Sequence, residues 1–579
     1  MLDLQQLVPY LKKHRRLLLL GLCFVTISNI CSAFYPRFIG DTVNLLHDGN
    51  YTINMVLIKV SYILLLTIGS GFFMYLTRKT IIVASRKIEY DLRDDLLKAI
   101  ERQSLDYFTK TPTGSLMAHS TNDIAAIREF IGPAIMYSAN TITTFTFVVS
   151  LMLSISIPIT LVALLPLPLI ALTTFTIGKR VHLATRDVQN HFGVLTTQAQ
   201  EVFSGIRIVR TFVREMFEKG VFSESSKKYI LLCMRLARLQ SLTMPLLMLL
   251  VVCSQLLVLG FGGLKVIEGS AQLGDLSQFF IYLNQLMFPV AAIGWVTNIV
   301  QRAKASMQRL GTIMNSMPTI INQQQSATIT EINSIEFKNV SFMYSGSTKP
   351  VLDSISLSIP KLSSLGIVGN VGSGKSSFIK LLPRLYDVTS GSIEFNGTDI
   401  QQYNLSDIRN STGVVLQEPF LFSMSILENM KIGKANATME EVIEAAKTAC
   451  LYEEVLSFPK GFETIIGERG ISLSGGQKQR LAIARALLRK PQLLILDDAL
   501  SAVDTSTEST ILKNLRQVFT NTTSVIIAHR ISTVQNCTNI IVLDSGKIIE
   551  QGTHNELIAL NGHYAEMHRY QLLEAELLQ

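Results

Sequence analysis

Cysteine is scarce and scattered: Cys23, Cys31, Cys233, Cys253, Cys450 and Cys537 form no CxxC pair and no paired spacing in 579 residues. That excludes a disulfide framework and a thiolate zinc site. Cys23, Cys31 and Cys253 lie inside apolar runs, where a free thiol acts as a small buried hydrophobe. Charge is also scarce, 17% of residues against 48% hydrophobic, a balance unusual for a soluble protein. No stretch interleaves aromatic and basic residues as a surface for stacking single-stranded bases does. The net charge of +8 therefore does not indicate nucleic acid as a partner. The N-terminal MLDLQQLVPYLKKHRR is not expected to be a cleavable signal, because the apolar run after it is too long and has no cleavage region. The early Asp3 argues against an organellar transit peptide.

What the chain does have is apolar sequence, concentrated before residue 305. A bilayer core of about 30 Å needs about 20 apolar residues to cross. Six such spans are expected, near 17–39, 55–77, 131–154, 157–178, 241–264 and 277–300. The third and fourth are divided only by a short polar break ending at Pro158, a tight hairpin at one membrane face. Basic residues set the orientation. Lys12, Lys13, Arg15 and Arg16 precede the first span, and nine Lys and Arg lie between 78 and 130, whereas 43–54 has none. Both termini and the two long connections are thus expected in the cytoplasm. Those connections have apolar residues at helical spacing, which predicts membrane helices continuing far beyond the bilayer.

Residues 305–335 are polar and aperiodic in their second half (INQQQSATITEINS). After them, short β-branched strands alternate with helices, the grammar of an α/β domain with a largely parallel sheet. The expected division is an all-α six-helix transmembrane domain over 1–310, a linker over 311–333 and an α/β domain over 334–579.

GNVGSGKSS, at 369–377, stands between an apolar strand and a helix. Gly369, Gly372 and Gly374 permit close backbone approach, so the N–H groups of the loop, through Asn370, Val371, Ser373 and Ser377, can surround phosphate oxygens. Lys375 reaches the β- and γ-phosphates of ATP, and Ser376 offers a hydroxyl to Mg²⁺. LLILDD at 493–498 places the Asp497 carboxylate at a strand tip, where it can hold Mg²⁺.

LSGGQ at 473–477, followed by KQRLAIARAL, resembles the signature of ATP-binding-cassette (ABC) ATPases. The resemblance extends over nearly the whole chain: FTKTPTGSLMAHSTND (108–123) and EVFSGIRIVRTFVRE (201–215) look like the cytoplasmic loops of exporter-type (type IV) half-transporters. The C-terminal half looks most like multidrug-resistance-like bacterial half-transporters that pair with a different subunit. The resemblance implies that Tyr344 stacks on adenine, Gln417 senses Mg²⁺ and touches the membrane domain, and His529 contacts the γ-phosphate. TIIGERG (464–470) corresponds to the exporter-specific segment and SAVD (501–504), with Asp504, to the loop facing the partner ATPase. Ser474, Gly475, Gly476 and Gln477 would bind the ATP held by a second half-transporter, so two ATPs are sandwiched in a dimer. Transmission to the membrane would run near Asn122–Asp123 and Arg210–Glu215.

One position departs from that pattern. Asp498 stands where the family has the glutamate that polarises the attacking water. A carboxylate one methylene shorter is set back, which predicts slow hydrolysis at this site and a heterodimer with a competent partner. A homodimer, with Asp498 acting through a further water, stays open. The near absence of charge within the spans favours lipophilic or amphipathic cargo such as drugs or lipids, and the resemblance implies a bacterial inner membrane. A lipid flippase, an importer and a regulatory subunit that binds ATP without pumping are the other readings.

Overall fold

Uninterrupted apolar runs can satisfy their backbone in a bilayer only as helices, and the first part of the chain is helical accordingly. A computed structural model describes residues 2–49, 51–322, 326–467 and 473–577. It forms two compact units, Met1–Glu101 with Thr113–Ser316, and Arg102–Pro112 with Met317–Gln579.

In the first unit, among the described residues, five helices are long and apolar enough to cross a membrane: Arg15–His47, Ile53–Glu101, Thr113–Ile155, Glu215–Ile267 and Leu273–Met314. They contain the expected spans one, two, three, five and six. The fourth is not one continuous helix. It runs through Ile157–Leu164 and Leu167–Ser204, separated at Leu165 and Pro166, because Pro166 has no N–H to continue the ladder. The hairpin before it is a single extended residue, Ser156, with Pro158 in the first turn of the next helix. At 1.5 Å per residue the 49-residue helix Ile53–Glu101 is about 70 Å long, more than twice the bilayer core. Its apolar window is not buried at all, and Leu64, Leu65, Ile68 and Phe72 are exposed, a surface suited to lipid.

Polar groups between the spans are satisfied across helices. Asn29 donates to Thr143 Oγ1 at 2.6 Å, Ser28 to the Ser70 carbonyl at 2.9 Å and Gln285 to the Ser32 carbonyl at 2.8 Å. Gln278 is 4% exposed and packs so closely on Gly40 that a Cβ there would overlap it. Among the described residues Asn284, by contrast, has one side-chain hydrogen bond, accepting from Gln255 Nε2 at 3.5 Å. The two neighbours therefore differ in role: Gln285→Leu should impair assembly, whereas Asn284→Leu should alter cargo affinity in a transport assay and leave expression and thermal stability intact.

Outside the membrane spans, Asp123 is 6% exposed. It accepts hydrogen bonds from Arg309 Nε at 3.0 Å, Ser306 at 2.8 Å and His119 at 2.7 Å. Burial pushes its carboxyl up, but the bonds from Arg309, His119 and Ser306 outweigh this and hold it below the ordinary carboxylate value. Asp123 ends the short helical segment His119–Asp123 and is a buried tie to Arg309. Asp123→Ala should lower the melting temperature by several degrees, since it leaves buried donors unpaired at about 1–3 kcal/mol.

The second unit holds two sheets. β1 (Ser334–Phe342), β2 (Leu352–Pro360), β4 (Ser390–Phe395) and β5 (Thr398–Asp399) form an antiparallel sheet in the order β2-β1-β4-β5. β3 (Ser364–Gly369), β6 (Thr412–Val415), β7 (Leu493–Asp497), β8 (Thr523–Ile527), β9 (Asn539–Asp544) and β10 (Lys547–Gly552) form the other, ordered β10-β9-β3-β8-β7-β6. It is parallel from β9 to β6, with β10 antiparallel at one edge. β7 and β8 are buried throughout, as strands covered on both faces must be. Alternate side chains of β7 enter different cores: Leu494 and Leu496 join one with the helix Gly475–Leu488, while Leu493 and Ile495 join another with Phe337 and Phe395. β3, β7 and β8 thereby bring their C-terminal ends to one edge of the sheet.

Candidate ATP site

The loop after β3 leads into the helix Lys375–Leu381, and its conformation requires glycine. Gly374 has φ +103°, and a Cβ there would lie 2.8 Å from the Val351 carbonyl oxygen. At Gly369, φ is +148° and a Cβ would overlap the Leu543 carbonyl oxygen at 2.0 Å. Inside this loop, Ser373 Oγ is buried with no hydrogen-bond partner among the described residues. Lys375, 7% exposed, donates to the carbonyls of Gly369 and Asn370, each at 2.7 Å. Desolvation pulls its pKa below the usual lysine value, opposed by the Asp497 and Asp498 charges. A buried ammonium bonded to neutral carbonyls, beside an orphaned hydroxyl and a glycine cradle, fits a polyphosphate.

Ser376 Oγ donates to Asp497 Oδ1 at 3.3 Å, joining residues 121 apart. Burial raises the Asp497 carboxyl above the ordinary value, and the Ser376 hydrogen bond opposes this. Gln417 Nε2 donates to Asp498 Oδ2 at 3.4 Å. Two adjacent carboxylates, a hydroxyl and an amide are hard oxygen donors, few enough to leave places for water and phosphate oxygens, which fits Mg²⁺. Ser376, Gln417 and Asp497 would hold it.

Asp498 has a left-handed backbone, φ +47°, which Asp and Asn adopt more readily than other side chains. Its N–H donates to the Ile527 carbonyl at 2.9 Å, placing it beside the end of β8. There, Asp498 and His529 line one cavity of about 80 Å³. Tyr344 stands next to the phosphate loop, its hydroxyl 2.9 Å from Ser377 Oγ and its ring edge-on to Phe342 and Tyr386. Close by, Lys110 of the helix Leu105–Lys110 donates to Ser345 Oγ at 2.7 Å.

Ser474 caps the helix Gly475–Leu488 in a capping box with Gln477: the Ser474 N–H donates to Gln477 Oε1 at 2.9 Å and the Gln477 N–H to Ser474 Oγ at 3.3 Å. Gly476 lies against Ala502, where a Cβ would be 3.0 Å from the carbonyl oxygen. Among the described residues these signature groups make no hydrogen bond to the phosphate loop. Asp504 caps the helix Thr505–Phe519, accepting from Ser506 Oγ at 2.6 Å and the Thr507 N–H at 2.9 Å. Those bonds hold its carboxyl down at about 2. Of TIIGERG, Glu468, Arg469 and Gly470 lie outside the described residues.

Reading the sequence did not reveal Gln479. Its amide donates to Ser501 Oγ at 3.0 Å and accepts from the Ala502 N–H at 2.9 Å, so the signature helix holds the 501–504 loop. A polar residue on the buried face of KQRLAIARAL was the available signal.

The family model for the ABC transporter transmembrane region matches residues 18–290, and the ABC transporter family model matches 352–501. The chain is also 35% identical to the probable multidrug resistance ABC transporter ATP-binding/permease protein YheI of Bacillus subtilis, over 95% of this chain and 94% of that one. The chain belongs to the ABC transporters. This transporter is 32% identical to the multidrug resistance-like ATP-binding protein MdlA of Escherichia coli, over 99% of its own length and 97% of the relative's. It also matches the solved structure of a bacterial Atm1-family ABC exporter with ATP bound, at TM-score 0.80 and 26% identity, covering 98% of this chain and 99% of that one. One membrane region with one ATPase domain makes it an exporter-type half-transporter. As the family does, the ABC transporter binds ATP, couples its hydrolysis to transport, works as a dimer and crosses the membrane several times.

Proposed function

We propose that this transporter exports lipophilic or amphipathic compounds from the cytoplasm across a bacterial inner membrane, as one half of a heterodimer whose ATP site on this chain turns over slowly. The observation that carries the heterodimer is Asp498, a short carboxylate at the hydrolytic position, beside an otherwise complete set of Gln417, His529 and signature residues. Multidrug relatives and spans nearly free of charge support the cargo class; both termini are placed in the cytoplasm by the basic residues around the spans.

When bound, Mg²⁺ would supply positive charge to the phosphates, and Ser376, Gln417 and Asp497 would hold it. Lys375 and the loop N–H groups bind the phosphates, with Ser373 providing a further donor, and Tyr344 receives the adenine. Gln417 and Asp498 orient a water for attack, and His529 holds the γ-phosphate end. Ser474, Gly475 and Gly476 donate to the nucleotide of the partner subunit, aided by the N-terminal end of a 14-residue helix. Nucleotide held between two ATPase domains thus draws them together, and its hydrolysis releases them.

The test is co-purification from native membranes followed by ATP-dependent uptake of a lipophilic dye into inside-out vesicles. Uptake that requires both this chain and a second half-transporter supports the reading. Brisk, drug-stimulated ATPase from this chain alone overturns the heterodimer. Stimulation by native lipids and not by drugs makes it a flippase, and ATP binding without uptake makes it a regulator.

A further inference from the structure

The C-terminal helix His563–Leu577 reaches back to the ATP site. Its start is fixed by Glu550 of β10, whose carboxylate accepts the N–H groups of His563 and Tyr564 at 2.6 and 3.0 Å. Tyr564 is fully buried, and its hydroxyl is 2.8 Å from His554 Nδ1. Gln571 follows Tyr564 by two helical turns and so shares its inward face. There its side-chain amide makes two bonds to the strand-to-helix turn after β8. Nε2 donates to the His529 carbonyl at 2.7 Å, and Oε1 accepts the Ile531 N–H at 2.9 Å. A single planar amide thus spans the backbone on both sides of Arg530.

Arg530 itself is fastened from the other direction. Its guanidinium pairs with Glu508, which is 4% exposed and also accepts from Thr533 Oγ1 at 2.8 Å. Glu508 lies in the first turn of the helix that Asp504 caps. His529 therefore carries its side chain on a turn whose backbone is gripped by the C-terminal helix and whose next residue is gripped by the helix after the 501–504 loop.

We propose that Gln571 is a positioning residue for His529: the C-terminal helix sets the reach of the histidine toward the γ-phosphate. This rests on the ATP-site reading above, in which His529 contacts that phosphate. ADP lacks the contacted group, so the effect of Gln571 should fall on ATP alone.

The test uses the full chain with its partner subunit in native-lipid vesicles, photolabelled on ice with a reactive ATP analogue, the two subunits being resolved on a gel. Competition by ATP and by ADP then gives both affinities at this chain without turnover. Gln571→Met should lower ATP affinity about 10-fold, the loss of one charge-assisted contact, with ADP affinity unchanged. Gln571→Glu, of the same size, keeps the acceptor for Ile531 but sets an oxygen against the His529 carbonyl, and should show the same loss. Equal weakening of ATP and ADP, or unchanged ATP affinity in both variants, overturns the proposal. His529→Ala is the reference: if it leaves ATP affinity unaltered, the reading of the ATP site itself fails. If His529→Ala weakens ATP and the Gln571 variants do not, only the positioning role fails.

Discussion

Asp498→Glu is expected to raise ATP hydrolysis at this chain's site by about 10- to 100-fold, since reacting groups misplaced by about 1 Å lose on the order of 100-fold. The proposal that the native residue is slow rests on the geometry around Asp498. Its backbone is tied to Ile527 at 2.9 Å, its carbonyl accepts from Ser501 Oγ at 2.9 Å, and its carboxylate meets Gln417 at 3.4 Å. With the main chain held on both sides, a shorter side chain cannot be compensated by moving the backbone. The added methylene of glutamate extends the carboxylate beyond this frame toward the nucleotide. Glutamate accepts the left-handed conformation less readily than aspartate, so a small loss of thermal stability should accompany the gain. Asp498→Asn keeps the backbone preference and removes the charge, and should abolish the residual turnover. Single-turnover hydrolysis, with the partner's site disabled, measures all three. Unchanged turnover in Asp498→Glu would show that aspartate already works here, through a further water.

Lys375→Ala should weaken ATP binding by about 100- to 10,000-fold and eliminate dye uptake, as loss of two charge-assisted hydrogen bonds at about 1.5–3 kcal/mol each implies. The ammonium is almost fully buried and bonded to the Gly369 and Asn370 carbonyls, so its charge is already aligned within the loop. Desolvation lowers its pKa; polyphosphate binding must raise it again, because a nearby anion favours the charged form. Lys375→Arg tests shape against charge, since the guanidinium is too large for a pocket closed by the two carbonyls, and should recover little. Equilibrium ATP binding to this subunit is the measurement. Wild-type affinity in Lys375→Ala would remove the phosphate loop from the account.

Several features depend on neighbouring residues alone and were legible without coordinates. Five spans followed from apolar runs, because the cost of exposing a backbone in lipid is local to each segment. The glycines of 369–374 announced a loop of unusual dihedrals, and Gly369, Gly372 and Gly374 all have positive φ. The fourth span was legible in composition but not in continuity: the break at Pro166 depends on where the ladder can restart. The bonds of Asp123 were not legible, because its partners Ser306 and Arg309 lie more than 180 residues on.

Motif order along the chain identified the nucleotide-binding parts, since each string needs only its own strand, loop or helix to form. Which of them meet was decided by the sheet, whose strand order sets the ends of β3, β7 and β8 side by side and so brings Ser376 to Asp497 and Asp498 to His529. Gln479, Glu508 and Gln571 belong to no such string. They act through hydrogen bonds to segments 22 to 42 residues away, and a single amide or carboxylate on a helix face carries no mark of its partner until packing chooses which face turns inward.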